Sequence, residues 1–335
     1  MTLEGILGPN DRLDEADGVA VDAPEAVCVA PDGRLLFSSG DAVHALVRWG
    51  GKPEPVAKLG RTLSALTVSE GGMVAAGLEG GGFAVFGLDG KPVEGWALPA
   101  GVVAVTDCAF LSEDEIVVVD NGYGADESVL AIAPWDDVPR GKALAISRGG
   151  GSRVLADRLH CPMGVARDAS GGLLLSQLER ANVVDGAGQV RQSGYPAYLG
   201  RIRRTPGGYL AACLSRRDPL IEFLKTEPDF IAEMKATIEP RHWLSPRAKP
   251  EFTHDFPIEL GAARLFGEIK PWAPSFSYGL VIELDEQLMP VASAHSRANG
   301  ARHAISDVTA WNGDLVAVSK ASGELLRFGA GAGAS

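Results

Sequence analysis

Six times along these 335 residues the sequence repeats one short pattern, an apolar strand, a tight turn rich in Gly and Asp, and a second apolar strand. Glu25 to Val29 turns at Asp32-Gly33 into Leu35 to Phe37, and Ser64 to Val68 turns at Gly71-Gly72 into Met73 to Ala75. The pattern returns at Thr106 to Phe110 with Ile116 to Val119, at Met163 to Ala166 with Leu173 to Leu175, and at Leu199 to Ile202 with Tyr209 to Ala212. The last copy runs from Ser306 to Ala310, turns at Asn312-Gly313 and continues through Leu315 to Val318. Short strands at a spacing of roughly 40 residues are the mark of propeller blades, so the expected fold class is all-β, a six-bladed β-propeller formed by residues 1–335 as one domain.

A second strand pair follows in the early copies, at Val43 to Trp49 with Pro55 to Leu59 and at Phe83 to Leu88 with Gly95 to Leu98, so four strands are expected per blade. The 42 glycines suit the many turns this requires. Inner strands are expected to begin near 24, 63, 105, 162, 199 and 305, and the 199-to-305 interval is too long for one blade. The excess contains Asp218-Pro219, able to open a helix, and Thr226 ahead of Phe230, Ile231, Met234 and Ile238 at helical spacing. Residues 217–276 therefore read as a partly helical cap inserted in blade five over the axial pocket, because a long structured insertion in an economical fold commonly serves binding. The last copy ends near Phe328 without an outer strand, which the chain between Leu3 and Val21 is expected to supply.

A net charge of -12 argues against nucleic acid and acidic membrane surfaces as partners, and no apolar run reaches membrane-spanning length. The first residues lack a basic and then apolar leader, and the four cysteines show no CxxC spacing, so a cytoplasmic protein with reduced thiols is the default reading. A small neutral or cationic ligand fits this charge better.

The stretch Lys270-Pro271-Trp272-Ala273-Pro274, running into Ser277 to Asp285, resembles the strictosidine-synthase-like proteins. His295-Ser296-Arg297-Ala298 and Val308 to Leu315 fit the same family, and the similarity extends over nearly the whole chain. The resemblance implies a six-bladed propeller, related at greater distance to gluconolactonases, regucalcin and paraoxonases. The first residues of the six inner strands would then ring the axial channel as Glu25, Ser64, Thr106, Met163, Leu199 and Ser306, with Asp107 and Asp307 one step further in. By the same resemblance, hydrolytic relatives hold a Ca²⁺-like ion there through a blade-one Glu and Asn or Asp in blades three to five. Only Glu25 matches. Thr106, Met163 and Leu199-Gly200 replace oxygen ligands that a hard cation needs, so no metal or other cofactor is expected, with Ca²⁺ disfavoured. Strictosidine synthases proper are implied to use a last-blade Glu as acid and base, a position that holds Ser306 here.

Candidate chemistry follows from this ring. Glu25 is a candidate general base, or a carboxylate bonded to strand amides; Asp107 and His303 are its candidate catalytic partners. Ser64, Thr106, Met163 and Ser306 on the ring, His160 at the channel mouth, Asp120 and Tyr123 in the Asp120-to-Asp126 loop, and Trp272 in the cap are candidate substrate contacts. The Asp120 loop reads equally as an Asn-Gly turn, and the cap aromatics equally as packing. Cys161 beside His160 is a weaker candidate nucleophile, since neighbours in extended chain point apart. The expected activity is hydrolysis of a lactone or ester, with lyase or condensation chemistry, or ligand binding without catalysis, as alternatives.

Overall fold

A computed structural model describes residues 3–249, 264–265, 268–269 and 277–331. It shows a six-bladed β-propeller. Four-stranded antiparallel sheets form blades one (Val27–Val29, Leu35–Ser39, Ala42–Leu46, Glu54–Lys58), three (Val105–Ser112, Glu115–Asp120, Gly141–Ser147, Ser152–Leu159) and four (Pro162–Arg167, Leu173–Gln177, Asn182–Asp185, Val190–Ser193). Blade five comprises Ala197–Thr205, Gly208–Arg216, Gly279–Leu284 and Pro290–Ser296. Blade two has three strands, Leu63–Val68, Met73–Leu78 and Gly82–Gly87. The fourth strand expected at Gly95 to Leu98 does not form; a lone bridge between Phe86 and Pro92 takes its place, and Trp96 and Leu98 instead pack towards blade three.

The core is divided among the blade interfaces. Val27, Leu35, Phe37, Val316 and Val318, for example, bury against each other where blade six meets blade one. Strands covered on both faces carry apolar side chains in both directions, which is why Ile116 to Val119 reads as an unbroken apolar run with every residue buried. Asn312 and Gly313 both take positive φ, 52° and 87°, in the two-residue turn that joins the first hairpin of blade six.

Blade six is Ile305–Trp311, Asp314–Ser319 and Glu324–Gly329, closed by Asp17–Ala20 from the N-terminus as its outer strand. Leu13, just before that strand, is fully buried, and the Arg302 guanidinium donates to the carbonyls of Leu13 and Ala16. Deleting residues 1–20 should therefore destabilise the protein by about 3 kcal/mol or more, the scale of losing one large core side chain together with a strand. Deleting residues 330–335 should cost far less. Thermal unfolding of the two truncations checks the order.

Between the second and third strands of blade five lie the helices Pro219–Leu224 and Pro228–Thr237. Asp218 caps the first through its side chain and the Leu220 amide, 2.9 Å apart. Thr226 does not cap the second; its hydroxyl donates to the Phe223 carbonyl, and Glu227 occupies the cap position without a side-chain bond. The helices pack through Ile221, Met234 and Phe230 on Trp135, in the short helical stretch of the blade-three loop. Trp135 also donates from its indole nitrogen to the Leu244 carbonyl at 3.0 Å.

Candidate functional site

The inner strands converge on the propeller axis, where a cavity of about 420 Å³ opens. Glu25, Ser64, Thr106, Met163 and Ser306 line it, so five of the six proposed ring positions meet there. Blade five differs. Its inner strand carries register shifts between Tyr198 and Ile202, and these put Gly200 and Arg201 on the cavity in place of Leu199, which is buried between blades four and five.

Arg201 dominates the floor. It is 3% exposed, and all five of its N–H groups are used. Nε donates to the Thr106 carbonyl (3.1 Å), and one terminal nitrogen donates to the carbonyls of Glu25 (2.8 Å) and Ser306 (3.0 Å). The other terminal nitrogen reaches the Glu25 carboxylate at 3.1 Å and the Ser64 carbonyl. One blade-five side chain thus joins blades one, two, three and six. Gly164 makes room for this strand, since a Cβ there would lie 2.6 Å from the Arg201 Cα and the Ile202 nitrogen.

Glu25 is oriented by its own amide and that of Ala26, both donating to the Ser38 hydroxyl at 2.9 and 3.0 Å. One carboxylate oxygen is held by Arg201 and the other by Lys320, from the turn between the second and third strands of blade six. With Arg201 on one oxygen and Lys320 on the other, both carboxylate oxygens are already engaged, so the geometry does not present Glu25 as a free general base.

Asp107 does not reach the cavity. It points into a second layer beneath Arg201, where Arg203 grips it with bonds of 2.6 and 2.9 Å and also bonds Asp307 at 2.9 Å. Both aspartates are fully buried. Burial pushes the Asp307 carboxyl up, against the pull of Arg203 and Arg201. Along the axis three carboxylates, of Glu25, Asp107 and Asp307, face three cations, of Arg201, Arg203 and Lys320.

His303, the other expected catalytic partner, is also structural. Nε2 donates to the Arg297 carbonyl at 2.8 Å and Nδ1 accepts from the Ser277 hydroxyl at 3.0 Å, in a fully buried site where desolvation lowers the imidazole pKa. Asp120 accepts from the amides of Val103, Ala104 and Gly122 and so fixes the turn, while Tyr123 from the same loop does line the cavity, its hydroxyl donating to Asp136 at 3.1 Å. His160 stays off the cavity, beside Arg180 and Glu179, and burial lowers its pKa. Cys161 is buried, and desolvation holds its thiol well above the ordinary range, the opposite of nucleophile activation. Trp272 lies outside the described residues, as do Phe252, His254 and Phe276 of the expected cap; of the described part of the insertion, Ala248 lines the cavity.

Asn121, from the Asp120-to-Asp126 loop, lines the wall beside Tyr123, whereas strand counting missed Lys320, which stands at the floor, and Arg201, which fills the axis. Two arginines at 201 and 203, alternating with Ile202 in a strand buried between blades, were the available signal for Arg201. Among the described residues no cluster of three or more His, Cys, Asp or Glu side chains could hold a metal. The axial position as it stands does not fit one, since a divalent ion there would meet the Arg201 guanidinium and the side chain of Met163 on the ring offers no hard oxygen ligand.

Two solved structures align with this fold over most of its length. The PQQ-bound form of aldose sugar dehydrogenase from Streptomyces coelicolor aligns over 93% of this chain and 98% of its own, at 13% identity and a TM-score of 0.53. A protein provisionally described as a gluconolactonase aligns over 94% of this chain and 92% of its own, at 12% identity and a TM-score of 0.54. At such identities the likeness concerns the fold alone. No protein-family model matches the sequence, and no curated protein does.

Proposed function

We propose that this propeller recognises a small organic metabolite in its axial cavity, with an acceptor oxygen of the ligand on Lys320 and a hydroxyl or carbonyl on Ser64. The supporting observation is the inventory of groups at the floor. Arg201 has every donor engaged, whereas the buried Ser64 hydroxyl has no hydrogen-bond partner and Lys320 is bonded to Glu25 with donors to spare. Leu63, Leu78, Val105 and Leu214 add apolar wall, and a cavity of this size suits a metabolite-sized ligand. An orphaned buried hydroxyl costs free energy until a ligand or water satisfies it.

Hydrolysis of a lactone or ester is the second reading, favoured by Lys320 beside Glu25. An ammonium there can stabilise the oxyanion formed when water attacks a bound carbonyl, with Glu25 taking the proton once Lys320 turns to the substrate. The sequence resemblance to strictosidine-synthase-like proteins supports a condensation reaction less well, because Ser306 donates its hydroxyl to the Glu25 carbonyl at 2.7 Å and offers no acid or base.

A panel of lactones, esters and hydroxy acids, read by thermal shift and by turnover, separates these readings. Recognition without catalysis predicts stabilisation of the wild type, at least tenfold weaker binding in Lys320→Ala, and turnover no faster than in buffer. Turnover that Glu25→Gln abolishes would establish hydrolysis instead. A panel that neither stabilises the protein nor turns over would sink both.

A further inference from the structure

We infer that the axial cavity takes a zwitterion of the amino-acid class, its carboxylate on Lys320 and its ammonium on Glu79, an assignment that rests on reading the cavity as a small-metabolite site. Glu79 and Lys320 both line it, from equivalent places in two blades. Each directly follows its blade's second strand, and its amide donates to the residue before the inner strand, Glu79 to the Thr62 carbonyl at 2.9 Å and Lys320 to that of Ala304 at 3.1 Å. In blade one, which stands between blades six and two, Gly40 holds this place and its amide donates to the Ala23 carbonyl at 3.3 Å. A cation and a carboxylate thus flank a position without a side chain.

These are the two charges of the cavity that internal pairing leaves over. Glu127, which also lines it, is bonded to Arg140 at 3.0 Å and to the Gly124 amide at 2.7 Å, and Glu25 is held by Arg201 and Lys320. The exposed Glu79 carboxylate has no hydrogen bond or ion pair among the described residues. Arg201 and Lys320 share the Glu25 carboxylate, but Arg201 has a second, Asp107, 3.7 Å away in the layer beneath, so the surplus positive charge is on Lys320. A ligand of single charge would answer only one of these poles and bring its own net charge into an apolar-walled site, whereas a zwitterion answers both. Its neutrality also suits a chain of net charge -12. Leu63, Leu78, Val105 and Leu214 supply apolar wall for its carbon chain, and the orphaned Ser64 hydroxyl is left for the second carboxylate oxygen.

Calorimetric titration with L-leucine, L-phenylalanine and 5-aminopentanoate tests it, each beside its two single-charge analogues, which for leucine are 4-methylpentanoate and 3-methylbutylamine. At least one zwitterion should bind, about tenfold or more tighter than either analogue. Glu79→Gln, a change at an exposed position that folding tolerates, should cut its advantage over the carboxylate analogue by about threefold or more, and Lys320→Met should do the same to its advantage over the amine. Binding of a lactone, ester or hydroxy acid without binding of any zwitterion overturns the assignment and leaves the small-metabolite reading standing. So does zwitterion binding that is indifferent to Glu79→Gln. A cavity that takes neither set overturns both.

Discussion

Arg203→Met is expected to lower the unfolding free energy by about 3–5 kcal/mol at neutral pH, the cost of breaking a buried charge cluster from one side. Arg203 lies two residues beyond Arg201 on the same strand, so the pleat sends both side chains to the axis, one above the other. Its removal would leave Asp107 and Asp307 buried in one layer with their hydrogen-bonded countercharge gone and only Arg201, 3.7 Å from Asp107, still nearby. Neither carboxylate could simply rotate to solvent. Asp107 also accepts from the Val165 amide of blade four at 2.8 Å, and Asp307 from the Val27 amide of blade one at 3.2 Å. The loss should shrink in acid, where a protonated carboxyl no longer needs the guanidinium. Urea unfolding of wild type and variant at pH 8 and pH 5 reads both effects. A loss below about 1 kcal/mol at pH 8 would show that the cluster does not hold the blades together at the axis.

These arginines also mark the limit of what the sequence discloses. The blade count, the insertion in blade five and the N-terminal closing strand were legible, because turns such as Asn312-Gly313 and apolar runs such as Ile116 to Val119 state local structure directly. The phase of a strand at its bulge is not local. Counting inward from Leu199 placed a leucine on the axis, whereas the register shift before Ile202 turns Arg201 there, and a one-residue slip exchanges every side chain between faces. For the same reason Asp107, adjacent to Thr106, belongs to the layer below the cavity. Lys320 escaped because a turn between strands two and three gives no periodic signal, and only the assembled ring shows that this turn overhangs Glu25. His303 was legible as a residue near the channel mouth but not as a buried one, since its partners Ser277 and Arg297 come from blade five.

Glu179→Gln is expected to stabilise the protein in alkali and to leave it unchanged in acid. Glu179 sits in the turn between Leu173–Gln177 and Asn182–Asp185 of blade four, 5% exposed, with one carboxylate oxygen 3.5 Å from Arg180 and 3.7 Å from His160 and the other without a hydrogen-bond partner. Burial pushes its pKa up to about 7, more than Arg180 and Lys225 can pull it down, and Asp136 adds to the rise. Lys225 ends the first helix of the insertion, and burial in turn lowers its pKa, so the ionisation of Glu179 couples blade four to the insertion. Because the native carboxyl binds its proton more tightly than the unfolded one, stability is greatest below the unfolded value near 4.5. It falls as pH rises through about 7, and above that the burial of the charge is felt in full. The gap corresponds to about 3 kcal/mol, and an amide of the same shape escapes it. Denaturant midpoints for Glu179→Gln should therefore exceed wild type at pH 8.5 and coincide with it near pH 4.5. An equal gain at both pH values would assign the effect to packing, and no gain at pH 8.5 would mean that Arg180 and Lys225 already neutralise the charge.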